Sequence, residues 1–195
     1  MLSTIIRRSC LFITLIFSLI SARDLLYNGN FELPPDSGWQ IIRWGEFPDT
    51  GNCRVRWRHS YHPDRDFEVM LHKLLHQGIK LFQKVSISTL DLEFRVSCRL
   101  IARSESDSLF AAAAVGMEYL DNNDSLLGET RIVYATAGCN WQNSPTLHLI
   151  RVPDTVNWYD YHIYISSELD SLPGIQRSEI KSIKVTLLGF VSGNS

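Results

Sequence analysis

From residue 53 onward, apolar and polar positions alternate with a period of two. Cys53, Val55 and Trp57 alternate with Arg54, Arg56 and Arg58, and Leu92, Phe94, Val96, Cys98 and Leu100 alternate with Glu93, Arg95, Ser97, Arg99 and Ile101. A strand turns successive side chains to opposite faces, so each run presents one apolar and one largely polar face. The same pattern predicts strands near Phe67–Lys73, Leu81–Ser88, Ala113–Asp121, Glu129–Thr136, Thr146–Val152, Tyr159–Ser166 and Ile180–Phe190. Within Phe67–Gly78, the positions of Met70, Leu71, Leu74 and Leu75 also suit a short helix. Turn-forming residues separate the runs at Pro34–Gly38, Pro48–Asn52, Asp121–Asp124, Asn143–Pro145 and Leu172–Gly174. Many short strands with no long amphipathic helix predict an all-β fold, an antiparallel β-sandwich of the jelly-roll kind.

The N-terminus follows a different rule. Arg7 and Arg8 precede an apolar run from Cys10 to Ile20, which ends at the small residues Ser21 and Ala22. This is the layout of a secretory signal peptide, and the run is shorter than the roughly 18–20 residues a membrane span needs. The expected organisation is therefore a signal peptide over 1–22 and a single β-sandwich domain over 23–195, with no membrane span after cleavage. The protein is expected to be secreted, periplasmic or at the cell surface.

Composition narrows the function. The chain has 195 residues, 45% hydrophobic and 21% charged, with a formal net charge of −2. Arg7 and Arg8 are the charges of the leader, so the remainder is more acidic still. Nucleic acid is not an expected partner for such a surface. Cleavage would leave Cys53, Cys98 and Cys139. Either one bridge forms and one thiol is left over, or all three are buried as small apolar residues. Cys53 and Cys98 are expected to be buried, with a bridge between them open as an alternative. Asn123-Asp124-Ser125 fits an N-glycosylation acceptor in a turn-like stretch.

The opening Leu25-Leu-Tyr-Asn-Gly-Asn-Phe-Glu32, followed by a proline-rich turn and Gly38-Trp39, resembles the start of the galactose-binding-like jelly-roll domains, which include carbohydrate-binding modules. Phe82-Gln83-Lys84-Val85, Leu92–Leu100 and Asn157-Trp158-Tyr159-Asp-Tyr161 are similar to later strands of that family, in the same order. The resemblance implies a first strand over the opening motif and, in calcium-holding members, a ligand at Glu32. The Asp pair common near the family's last strand is absent from Ser182–Leu188. Calcium takes six to eight oxygens and Glu32 is the one ligand nominated, so no cofactor is expected and Glu32 is read first as a strand-end residue capping amides, with a structural calcium there as the alternative.

Sugar binding needs flat aromatic surface and polar neighbours. Of the five tryptophans, Trp39 and Trp158 match core positions of the resemblance. Trp57 shares a face with Cys53 and Val55, which assigns it to the core first and to a ligand second. Trp44 and Trp141 lie among turn residues and lead the carbohydrate-binding set, completed by Trp57, Tyr61, Arg56 and Arg99. If the strands at 53–58 and 92–103 share a sheet, Arg54, Arg56, Arg58, Arg95, Arg99 and Arg103 line one face suited to acidic groups. The plainer alternative is a solvated face whose arginines pair with Glu93, Glu118 or Glu129. His59-Ser-Tyr-His62 and His72-Lys-Leu-Leu-His76 are too weak a pattern to nominate zinc. No nucleophile elbow, zincin helix or phosphate loop is present, so no catalytic residue is nominated and the chain is not expected to be an enzyme.

These features predict a secreted, non-catalytic domain of the carbohydrate-binding-module type, gripping a glycan or polysaccharide. The alternatives are a structural or protein-interaction sandwich of the cell envelope and, further down, a small secreted glycan-active hydrolase or lyase.

Overall fold

A computed structural model describes residues 24–44, 53–59, 68–73, 77–104 and 109–192. Ten strands are placed in it: β1 (Gln40–Trp44), β2 (Cys53–His59), β3 (Glu68–Lys73), β4 (Gln77–Ser86), β5 (Glu93–Cys98), β6 (Ala111–Leu120), β7 (Leu126–Ala135), β8 (Leu147–Arg151), β9 (Tyr159–Tyr164) and β10 (Ser182–Val191). One turn of helix, α1 (Ile165–Glu168), follows β9 directly.

One layer is a six-stranded sheet in the order β1-β4-β10-β6-β7-β8. Every neighbouring pair is antiparallel except β7 and β8, which run parallel because residues 136–146 carry the chain back along the sheet before β8 begins. The opposite layer consists of two separate two-stranded sheets, β2-β3 and β5-β9. Their apolar residues, among them Val69, Leu71, Phe94, Val96 and Ile163, pack with Val115, Met117, Tyr119, Ile183 and Val185 from the inner face of the large sheet. The result is an all-β sandwich.

The strand pattern carries through with small shifts. Residues 68–73 form a strand rather than a helix, because Val69 and Leu71 turn inward against the large sheet. β9 stops at Tyr164, and Ile165 and Glu168 turn inward from a helical turn instead of continuing the ladder. Cys98 is buried and its thiol is free, as is that of half-buried Cys139, so Cys98 forms no bridge to Cys53.

The expected first strand is corrected. Residues 24–38 form no strand: they make a succession of turns in which Asn28 and Phe31 take positive φ values of 52° and 54°. The Asn28 side chain fixes this loop by accepting from the Leu33 amide at 2.9 Å and donating to the carbonyls of Leu33 and Pro34. An asparagine tolerates the left-handed region and supplies its own hydrogen bonds there, which lets the turn compete with a strand. The first strand is instead Gln40–Trp44, which the turn residues on either side concealed.

Gln83 holds the loop against the sheet. Its carbonyl accepts from the Tyr27 amide at 2.7 Å, and its amide donates to Tyr27 O and Gly38 O at 2.8 and 2.9 Å. Buried Trp39 donates its indole N–H to Asn28 O at 3.0 Å and stacks its ring near Phe31.

Candidate functional site

Pairing register decides which side chains share a face. Trp44, Gly78, Phe190, Ala112 and Ala135 are successive cross-strand partners on β1, β4, β10, β6 and β7. One row further in lie Ile42, Lys80, Leu188, Ala114, Val133 and Arg151. Both rows belong to the outer face, since the alternate residues of these strands, such as Val115 and Val185, enter the core.

Ala112, Ala114 and Gly116 make the floor of this face on β6, the strand between β10 and β7. Aromatic rings flank it. The six-membered ring of Trp44 covers the Cα of Gly78, and Phe190 is Gly78's partner on the other side. Trp141, on the 136–146 connection, folds back over the same face with its ring centroid 6.4 Å from that of Phe190, and Phe110 lies 5.5 Å from Phe190. Trp141 packs with Ala114, Val133 and Leu149 in a small cluster separate from the main core. Trp44, Phe190 and Trp141 are each half-buried.

Polar groups border the rings. The Arg131 guanidinium sits 4.3 Å from the centre of the Trp141 ring and pairs with Glu129. Arg151 donates to the backbone carbonyl of Trp141 at 3.0 Å. Further along the face, Glu118 lies between Lys80 and Lys184, at 2.5 and 2.9 Å. Burial alone would raise the Glu118 pKa, but hydrogen bonds and charge from the two lysines outweigh it and hold the carboxyl below the ordinary range.

The other predicted residues lie elsewhere. Trp57 is half-buried on β2 and donates its indole N–H to Phe31 O at 2.7 Å, tying the N-terminal loop to the second layer. Half-buried Arg56 is on the same strand, paired in register with Met70. Arg99 is exposed after β5, its guanidinium 6.0 Å from the ring centre of half-buried Trp158. Tyr61, His59's side chain, His62 and His76 lie outside the described residues. So do the side chains of Arg54 and Arg58.

The shared arginine face is corrected as well. β2 pairs with β3 and β5 pairs with β9, so the two arginine runs do not belong to one sheet. Arg95 pairs along its own strand with Glu93, at 2.5 Å, rather than across to a neighbour. Glu32 is exposed, and no group of three His, Cys, Asp or Glu residues suited to a metal ion occurs among the described residues.

Phe190, Arg131 and Arg151 escaped the sequence reading. Ser182, Lys184 and Thr186 alternate with Ile183, Val185 and Leu187, but from Leu188 onward β10 carries no polar side chain, so alternation gives no sign that Phe190 stands on the outer face.

Neither the family models nor the curated proteins contain a match to this chain. Among solved structures the chain is similar to TmCBM61, described in complex with beta-1,4-galactotriose. The identity is 16%, the match covers 88% of this chain and 95% of that one, and the TM-score is 0.38. A likeness at this distance transfers no residue roles.

Proposed function

We propose that this protein is a secreted, non-catalytic glycan-binding module whose site is the outer face of the six-stranded sheet. The observation that carries this reading is the row Trp44–Phe190–Trp141, in which residues from β1, β10 and a connecting loop stand on one face beside a floor of small side chains. Half-exposed rings offer flat apolar surface to the C–H face of a pyranose, while Arg131, Arg151 and Lys80 border it with hydrogen-bond donors for hydroxyls or carboxylates. The leader over 1–22 supports secretion.

A glycan array probed with the purified chain, with and without calcium, tests this. Selective binding by the wild type that disappears in a folded Trp44→Ala/Trp141→Ala variant is the expected result. A calcium requirement would return Glu32 to the site. The absence of glycan binding would overturn the reading in favour of an envelope protein partner for the same face.

A further inference from the structure

We propose a second binding site, independent of the outer face: the cavity between the two layers holds an amphiphile with one long apolar chain and a carboxylate head. The cavity measures about 750 Å³. That lies within the range of roughly 300–1,000 Å³ typical of small-molecule pockets, and far above the water-sized voids of a packed interior. It exists because the second layer is split. β3 and β5 are not joined by a ladder, so the interior opens between them.

Burial along the inner face shows the same asymmetry. At one end of the sandwich Met117, Tyr119 and Ile183 are buried. Toward the other end Ala113 and Leu187 of the large sheet, Leu71 of β3, and Phe94 and Val96 of β5 turn inward and yet remain half-exposed, all of them lining the cavity. Inward apolar side chains left in contact with solvent lose the burial that folding normally provides, and an apolar chain would restore it. The small Ala113 side chain leaves room on the large sheet's wall, while Gly189 lets Ile79 and Lys73 close in beside it, each within 3.3 Å of where a Cβ would stand.

The charges on the lining choose the head group. Glu68 is the acid there, against Lys73, Arg95, Arg99 and Arg103. Arg95 is engaged by Glu93, whereas Arg99 and Arg103 are exposed on the segment that leaves β5 at the cavity. A guanidinium fork matches a carboxylate, and the apolar walls below would take the chain.

The test is a titration of the delipidated protein with cis-parinaric acid, followed by competition with palmitate and with hexadecanol. Saturable fluorescence enhancement is expected, reversed by palmitate at about ten-fold lower concentration than by hexadecanol, a difference of about 1.4 kcal/mol for the lost charge pairing. Ala113→Trp, which fills the cavity, should abolish binding, with Leu187→Phe as the milder filler should the first variant fail to fold. Arg99→Gln/Arg103→Gln should weaken palmitate while leaving hexadecanol unchanged. Absence of saturable binding, or full binding by a folded cavity-filling variant, overturns the site. Equal competition by palmitate and hexadecanol overturns the carboxylate.

Discussion

The ring of Trp44 lies over the bare Cα of Gly78, where an added Cβ would fall within 2.8 Å of Cε2 and Cη2 of the indole. Glycine is therefore what lets a large ring settle onto the outer face beside Phe190. Gly78→Ala would push the indole off the sheet. We expect glycan binding to weaken by about ten-fold, which equals about 1.4 kcal/mol, with an unchanged far-UV spectrum. Titration calorimetry against the best array ligand reads the effect, and unaltered affinity would detach Trp44 from the site.

Gln83 carries the N-terminal loop on three hydrogen bonds, two to Tyr27 and one to Gly38, from a nearly buried position. Gln83→Ala removes its half of all three and leaves backbone groups to find other partners. A loss of about 1.5–4.5 kcal/mol is expected in urea unfolding, from about 0.5–1.5 kcal/mol for each of the three bonds. Because Trp39 is anchored to the same loop, its fluorescence should report loosening before the global transition.

Glu118 makes stability pH-dependent in a definite sense. Its pKa is depressed in the folded protein by Lys80 and Lys184, against the opposing effect of burial. Its contribution is therefore fully present above the unfolded-state pKa of about 4.3 and is lost as pH falls through the lower folded value. Glu118→Gln should cost about 1–2 kcal/mol at pH 7, because two partly buried ammonium groups lose their shared counter-charge. It should also flatten the acid limb of a Tm-against-pH curve below about pH 4.5. An acid limb as steep as that of the wild type would assign the acid sensitivity to other carboxylates.

Burial pushes the Cys98 thiol up to about 12. A thiol in that state is almost wholly protonated at pH 8 and unreactive toward disulfide reagents. Peptide mass spectrometry after treatment with a thiol reagent should find Cys98 unmodified in the native protein and labelled in denaturant. Rapid native labelling would show that the β5–β9 sheet opens readily.

Asp154 illustrates a local feature legible only once neighbours are seen. It accepts from Tyr159 Oη at 2.5 Å and from the amides of Val156 and Asn157, which together hold its carboxyl well below the usual range. The spacing Asp-x-x-Asn in a loop suggests a turn, but the hydroxyl from β9 that completes it belongs to the start of the next strand.

Local chemistry determined much of this protein. Alternation along 53–59, 93–98 and 182–191 was sufficient for strands, because a half-buried strand repeats every two residues wherever it sits. The core position of Trp39 came instead from the resemblance of the opening motif, and the structure buries it. What the sequence could not determine is which strands are neighbours. Ladders are formed between segments far apart in the chain, so the arginine runs of β2 and β5 fell into different sheets, and Trp44 and Trp141 met across Phe190 on one outer face. The split between β3 and β5, and the cavity it opens, arise for the same reason: alternation specifies the face a side chain takes, while non-local pairing decides what that face meets.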